Sequence, residues 1–148
     1  AQEPADSADA QLCLTSYQAE LATRFDSGFD PAKGNSLTVE EMTPPAGYFL
    51  LARLDGRPVG CGALKRLGPS EGEAKRVWAA PEARGLGVAS RIMDALEQLA
   101  RDVGFTTLKL DTNRTLVEAQ AMYRKRGYRE IEPYNDNPYA NHWFEKTL

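Results

Sequence analysis

The sequence predicts an α/β fold built on a mixed, mostly antiparallel sheet, and three observations predict it. Two strand-like runs, 48–54 and 58–66, flank Asp55-Gly56, a dipeptide that favours a two-residue hairpin turn. A glycine-bounded turn at 68–72 leads into a third run that alternates as far as Ala79. A loop carrying Gly85 and Gly87 then opens a helix in which Ile92, Leu96, Leu99 and Val103 recur at helical spacing.

In chain order, residues 1–8 are small, polar and acidic and are expected to be mobile. Ser7 or Asp9 caps a helix whose apolar stripe is Leu14, Tyr17, Leu21 and Phe25, and which ends before Gly28. A loop over 30–35 follows. Thr38 and Glu41 stand at capping-box spacing and open a short helical turn that Pro44 and Pro45 stop. After the three strands and the loop, the long helix stops at Gly104. A strand over 105–110, a helix over 115–126 closed by Gly127, and a strand over 128–132 come next. The polar loop 133–141 leads to a last strand, 142–146, and no internal repeat or low-complexity tract appears.

A length of 148 residues with 42% hydrophobic content suits one domain spanning 1–148 with a single core. The net charge of −3, with both signs interspersed, argues against a nucleic-acid or anionic-membrane partner. Cys13, Cys61 and the single His142 are too few and too scattered for a disulfide framework or a zinc site, so the expectation is no metal and a reducing cytoplasm. No 18-residue apolar run and no hydrophobic leader is present. Residue 1 is Ala rather than Met, as expected of a chain trimmed, processed or cut from a longer protein.

The loop before the long helix reads as an anion cradle. The first turn of a helix carries N–H groups without internal partners at the positive end of its dipole, which suits phosphate. Gly85 and Gly87 let the backbone approach a ligand closely, Arg84 adds a cationic fork, and Leu86, Val88, Ala89 and Ser90 complete the turn. A nucleoside-triphosphate P-loop needs Lys and then Ser or Thr where Val88 and Ala89 stand. A dinucleotide fold is the nearer rival, since Gly85, Gly87 and Ser90 almost spell its glycine pattern and Asp111 lies where a ribose-binding acid would. Against it, residues 81–84 intervene between strand and glycine, and Glu73, Lys75 and Arg76 are poor choices for a strand buried on both faces.

Arg84, Gly87 and Ala89 in RxxGxA spacing, preceded by a proline and a strand, resemble the pyrophosphate loop of the GNAT superfamily of N-acetyltransferases. Ala119, Tyr123, Gly127 and Tyr128, spelling AxxxYxxxGY, are similar to that family's segment in which a tyrosine faces the coenzyme A sulfur. The resemblance covers about 48–128, and residues 111–114 with the ending 143–146 look like one uncharacterised bacterial branch. It implies the GNAT fold, with helices on both faces of a sheet splayed where acetyl-CoA enters.

It also implies transfer of acetyl from acetyl-CoA to a primary amine of a small molecule or peptide, by direct attack in a ternary complex. An alkylamine, with a pKa of about 10.4, must first lose a proton. The resemblance makes Glu73, eleven positions before Arg84, the leading base, although a solvated strand-edge carboxylate describes it equally; Asp111 is the second choice and His142 a weaker one. Tyr123 is the proton donor to the thiolate, although its place on a helical face with Leu116 and Ala119 equally describes a core aromatic. Main-chain groups of Val77, Trp78 and Ala79 are expected to hold the thioester carbonyl and pantetheine arm, Trp78 packing on the face opposite Val77 and Ala79. Leu116 stands where many members carry asparagine, and Asn113 is the candidate replacement. That departure keeps a non-catalytic acyl-CoA sensor of the same fold as the alternative, and the resemblance allows a homodimer. Acceptor choice is expected in 17–41 and 134–143, where Glu20, Asp26, Asp30, Glu40, Glu41 and Asp136 favour a cationic acceptor.

Overall fold

The structure, a computed structural model, describes residues 1–25, 29–30 and 37–148. Helix α1 is Ala8–Arg24, capped by Ser7, whose hydroxyl accepts the Ala10 N–H at 3.1 Å. Its end at Arg24 is described, whereas Gly28 and most of the loop expected over 30–35 lie outside the described residues. Thr38 and Glu41 exchange reciprocal bonds of 3.1 and 3.2 Å and start a one-turn 3₁₀ helix, Glu40–Met42. Strands β1 (Gly47–Leu54), β2 (Arg57–Arg66) and β3 (Glu71–Ala79) form the antiparallel meander. Asp55 and Gly56 both take positive φ, 51° and 81°, as a hairpin turn of this hand requires.

Helix α2 (Val88–Asp102), β4 (Thr107–Thr112), α3 (Val117–Lys125), β5 (Arg129–Ile131) and β6 (His142–Thr147) complete the chain. The sheet order is β1-β2-β3-β4-β6-β5, with β3 and β4 parallel and the other neighbours antiparallel. One core cluster, including Leu64, Met93, Leu96 and Phe144, packs α2 and α3 on one face. A second, including Cys13, Phe49, Cys61 and Ala63, packs α1 on the other. Beneath α2, a Cβ on Gly62 would lie 2.7 Å from Ile92, so glycine there sets how closely helix and sheet approach. No helix among the described residues is long and apolar enough to cross a membrane.

Three expectations are corrected. The first residues, expected to be mobile, are paired with the sheet: Glu3 N–H bonds the Phe49 carbonyl at 3.0 Å and Leu51 N–H bonds the Ala1 carbonyl at 2.9 Å, because the outer edge of β1 offers unpaired groups. In α1 the fully buried positions are Ala10, Cys13 and Leu21, with Leu14 and Tyr17 only half-buried. Strand β4 begins two residues after Phe105, because the Phe105 N–H is spent on the Ala100 carbonyl at 2.8 Å. With Gly104 at φ +93° bonding Arg101, this is a Schellman cap on α2.

Candidate functional site

Between β3 and α2 a 3₁₀ turn, Pro81–Ala83, re-aims the chain. Gly85 and Gly87 hold φ of +88° and +77°, and a side chain on either would meet nothing within 4 Å. The left-handed backbone, not crowding, is what calls for glycine. Gly87 caps α2 without a side chain, and the N–H groups of Gly85, Gly87, Val88, Ala89 and Ser90 have no main-chain acceptor among the described residues. Five unspent donors at the positive end of a helix fit a pyrophosphate.

Arg84 is engaged: it donates to the Ala79 carbonyl at 3.2 Å and pairs with Glu20 of α1. Glu20 also faces Arg24, which clasps Glu118 and the Thr115 carbonyl at the start of α3. A run of ion pairs thus links the loop, α1 and α3. Leu86 is exposed, and the Ser90 carbonyl and hydroxyl accept from Arg126 at 3.2 and 3.0 Å.

The pairing of β3 with β4 is confined to Glu71–Thr107, Gly72–Leu108 and Glu73–Lys109, after which the strands part. A pocket of about 280 Å³ fills the gap. Its β3 wall is bulged: the ladder to β2 steps from Cys61–Trp78 to Ala63–Lys75, leaving Arg76 and Val77 opposite Gly62 alone. Arg76 takes φ +59°, a strain of roughly 1 kcal/mol for a side-chain-bearing residue. The Cys61 thiol donates to its carbonyl at 3.3 Å. Val77 lines the pocket on the α2–α3 side, whereas Trp78 packs toward α1 with its indole N–H buried and unpartnered. Trp78 and Ala79 lie outside the wall of this pocket.

Tyr123 enters from α3. Its ring packs on Tyr128 and Phe144 at 5.8 and 6.2 Å, its hydroxyl bonds no described residue, and the residue lines the pocket. A second Schellman cap fixes it: Gly127 at φ +94° bonds Arg124, and Tyr128 N–H bonds the Tyr123 carbonyl at 3.0 Å. The YxxxGY pattern is therefore a helix-stop motif that clamps the tyrosine. Burial raises the Tyr123 phenol above its ordinary pKa, with Tyr17 and Asp111 adding to the effect. Leu116 and Asn113 also line the pocket. The Asn113 amide donates to the Tyr139 carbonyl at 2.7 Å and accepts from Thr115 N–H at 2.9 Å, which shapes the turn into α3.

The two carboxylates read as bases are placed differently. Glu73 is 3% exposed and off the pocket wall, accepting from the Tyr134 hydroxyl at 2.6 Å and facing Lys75 at 3.6 Å. Asp111 is half-buried on the wall and accepts from Asn135 at 2.7 Å and Asn137 at 3.3 Å. Asn135 also reaches Glu73 at 3.4 Å and accepts the Trp143 indole N–H at 3.0 Å. Tyr134, Asn135 and Asn137 fall in the segment 134–143 expected to govern acceptor choice, but sequence reasoning missed their bonds to Glu73 and Asp111; alternating asparagines in a polar loop were the available signal. His142 is paired with Glu130 at 2.7 Å and is outside the pocket wall. Among the described residues no group of three or more His, Cys, Asp or Glu could hold a metal ion.

The expected acidic acceptor surface is corrected. Both end segments do reach the pocket, through Tyr17, Leu21, Phe25, Leu37 and Tyr139, but none of Glu20, Asp30, Glu40, Glu41 and Asp136 lines it. Glu20 is taken by Arg24 and Arg84 and Glu41 by Lys65, while Asp26 lies outside the described residues.

Residues 14–128, more than half of the chain, match the acetyltransferase (GNAT) family. An uncharacterised N-acetyltransferase of Schizosaccharomyces pombe is 36% identical over 141 residues, 93% of this chain and 85% of that protein. A Klebsiella pneumoniae structure described as an acyl-CoA N-acyltransferase superposes with a TM-score of 0.78 at 27% identity, over 100% of this chain and 95% of that one. A Thermoplasma acidophilum N-acetyltransferase solved with coenzyme A shares the fold at 19% identity, with a TM-score of 0.61 over 70% of this chain and 62% of that one. A six-stranded sheet that splays between its two parallel strands, an open glycine cradle at the start of α2 and a clamped tyrosine beside the gap agree with these matches: the chain belongs to the GNAT family of acetyltransferases.

Proposed function

We propose that this chain moves the acetyl group of acetyl-CoA to a primary amine by direct attack in a ternary complex, Asp111 taking the amine's proton and Tyr123 protonating the leaving sulfur. The observation that carries the reading is that Tyr123, whose hydroxyl bonds no described residue, and Asp111 line one pocket where β3 and β4 part. The main-chain donors of Gly85, Gly87, Val88, Ala89 and Ser90 hold the pyrophosphate, and Arg84 joins them once Glu20 yields. Val77, beside the bulge, offers its backbone to the thioester carbonyl.

Asp111 accepts the first proton of the ammonium and frees the lone pair. Nitrogen bonds the carbonyl carbon, and the carbon–sulfur bond breaks as Tyr123 hands its proton to sulfur. The second amine proton, shed from the tetrahedral adduct, restores Tyr123, and Asp111 returns its proton to water. Glu73 supports this from behind, through Asn135.

Thiol release from acetyl-CoA over a panel of polyamines, amino acids, aminoglycosides and peptide N-termini tests the reading. Asp111→Asn should lower kcat by about 10²-fold or more and Tyr123→Phe by about 10-fold or more, at unchanged acetyl-CoA affinity. Glu73→Gln should cost less than Asp111→Asn, and the reverse order would return the base role to Glu73. Binding of acetyl-CoA without release to any amine would favour the sensor.

A further inference from the structure

We infer that Asn135 is a positioning residue for the base: its side-chain amide, oriented by two donors on one side, turns its NH2 to Asp111 and holds that carboxylate for the amine. This rests on the acetyl-transfer reading above. Asn135 stands in the loop between β5 and β6. Its Oδ1 accepts the Trp143 indole N–H at 3.0 Å and the Asn137 main-chain N–H at 3.2 Å. Both partners only donate, so an amide turned the other way would set NH2 against N–H twice. The oxygen is therefore committed to that side and the NH2 to the other. There Nδ2 lies 2.7 Å from Asp111 Oδ2 and 3.4 Å from Glu73 Oε2, so its two protons serve two carboxylates and the shorter bond goes to Asp111.

The same device recurs two residues on. Asn137 Oδ1 accepts the Tyr139 main-chain N–H at 3.1 Å, and Asn137 Nδ2 donates to Asp111 Oδ1 at 3.3 Å. Two successive turns of the loop thus each aim an amide at one oxygen of Asp111. A carboxylate accepts about four hydrogen bonds, which leaves room for the ammonium. Asn135 has the stronger anchor of the two. Trp143 lies opposite Asp111 in the ladder of β6 with β4, so the two side chains share one face of the sheet. The register of the sheet itself brings the orienting donor to the group being oriented.

A donor to the charged form of a carboxylate favours that form, and a second carboxylate disfavours it. A base must begin without its proton. Loss of the Asn135 donor should therefore make Asp111 hold its proton to higher pH, and a carboxylate in its place should do so more strongly. Among the described residues, the other titratable or charged groups around Asp111 are Tyr17, Lys75, Arg76, Tyr123 and Tyr139 on the pocket wall, with Tyr134 and Glu73 behind the amide. Glu73 has partners besides Asn135, the Tyr134 hydroxyl at 2.6 Å and Lys75 at 3.6 Å.

The test follows kcat against pH for thiol release from acetyl-CoA, with the fastest acceptor among spermidine, L-phenylalanine, kanamycin and an alanyl peptide. Asn135→Asp keeps the oxygen facing Trp143 and Asn137 but sets a second one against Asp111. Its acid limb should move up by about 1 pH unit or more, so that kcat falls by about 10-fold below the limb and recovers as pH rises, at unchanged KM for acetyl-CoA. Asn135→Ala and Trp143→Phe should move the limb the same way by less. On the free protein, deuterium exchange of the Trp143 indole N–H, followed by NMR, should quicken in Asn135→Ala and stay slow in Asn135→Asp. Melting temperatures check that the variants fold. An acid limb left in place by both Asn135 variants, even with kcat lowered, makes the asparagine a structural prop and overturns the inference, and so does unchanged indole exchange in Asn135→Ala. If Asp111→Asn loses kcat while the Asn135 variants keep the wild-type limb, acetyl transfer with Asp111 as base stands without the inference. Wild-type kcat in Asp111→Asn, or no thiol release with any amine, overturns both.

Discussion

Tyr123 belongs to two environments, the core with Tyr128 and Phe144 and the wall of the pocket. Spacing that reads as an apolar stripe and a motif that reads as a proton donor describe one residue. Burial raises the phenols of Tyr17, Tyr123, Tyr128 and Tyr134, with Glu97 adding at Tyr128 and Glu73 at Tyr134. Tyr123 therefore keeps its proton at neutral pH, as a donor must. A phenol whose folded pKa lies above its unfolded value contributes stability that is fully present below about pH 10 and is lost as pH rises, because the unfolded chain sheds the proton first. Melting temperature should thus decline above about pH 10, with phenolate absorbance from these rings appearing together with loss of near-ultraviolet circular dichroism. Phenolate formation well ahead of that loss would mean the rings are open to solvent. Motif spacing pointed to Tyr123 directly, but the ranking of Glu73 over Asp111 depended on which carboxylate a strand turns to the gap, and that depends on where β3 and β4 separate. Charges at Glu73 and Lys75 that seemed unfit for a buried strand are both buried, since each offsets the other and Tyr134 and Asn135 complete the shell.

Helix ends were the most legible elements, because glycine at a left-handed position leaves a local signature: Gly87 opens α2, Gly104 closes it and Gly127 closes α3. The strand-like N-terminal segment and the loop carrying Asn135 and Asn137 were not legible, since their partners are 46 or more and 24 or more residues away and no local rule names them. One consequence belongs to α1. Glu20 presents a carboxylate to Arg84, the cation of the loop proposed to hold the pyrophosphate, so on that proposal the helix supplies an internal stand-in for the ligand. Glu20→Gln should therefore tighten acetyl-CoA binding by up to about 5-fold at low salt, the range of an exposed ion pair, and the gain should shrink as salt screens the pair. Calorimetry on the two proteins decides it; weaker binding by the glutamine variant would mean that Glu20 positions Arg84 for the ligand and does not compete with it.

At the scale of the molecule, alternation and turn chemistry reveal the meander of β1 to β3, but not that β6 inserts between β4 and β5, a pairing set by the last strand alone. Nor does any local pattern show that β3 and β4 stop pairing after three residue pairs, although this parting creates the pocket. A ligand anchored at the start of α2 and reaching Tyr123 on α3 must cross that gap and would supply contacts that the two strands do not make with each other. Ligand that binds only the folded chain stabilises it by about 2.7 kcal/mol at a hundredfold excess over Kd, which for a chain of this size is a rise in melting temperature of roughly 5–10 °C. We expect that rise with acetyl-CoA and little with NAD. Gly87→Asp should abolish it, because the variant puts a side chain on backbone at φ +77° and a negative charge among the donors proposed to hold phosphate. Some loss of melting temperature in the free variant, of the order of the strain at one left-handed residue, is expected as well, so the reading is the difference with and without ligand. A full ligand-induced rise in Gly87→Asp, or a larger one with NAD, would show that the pyrophosphate does not sit at the start of α2.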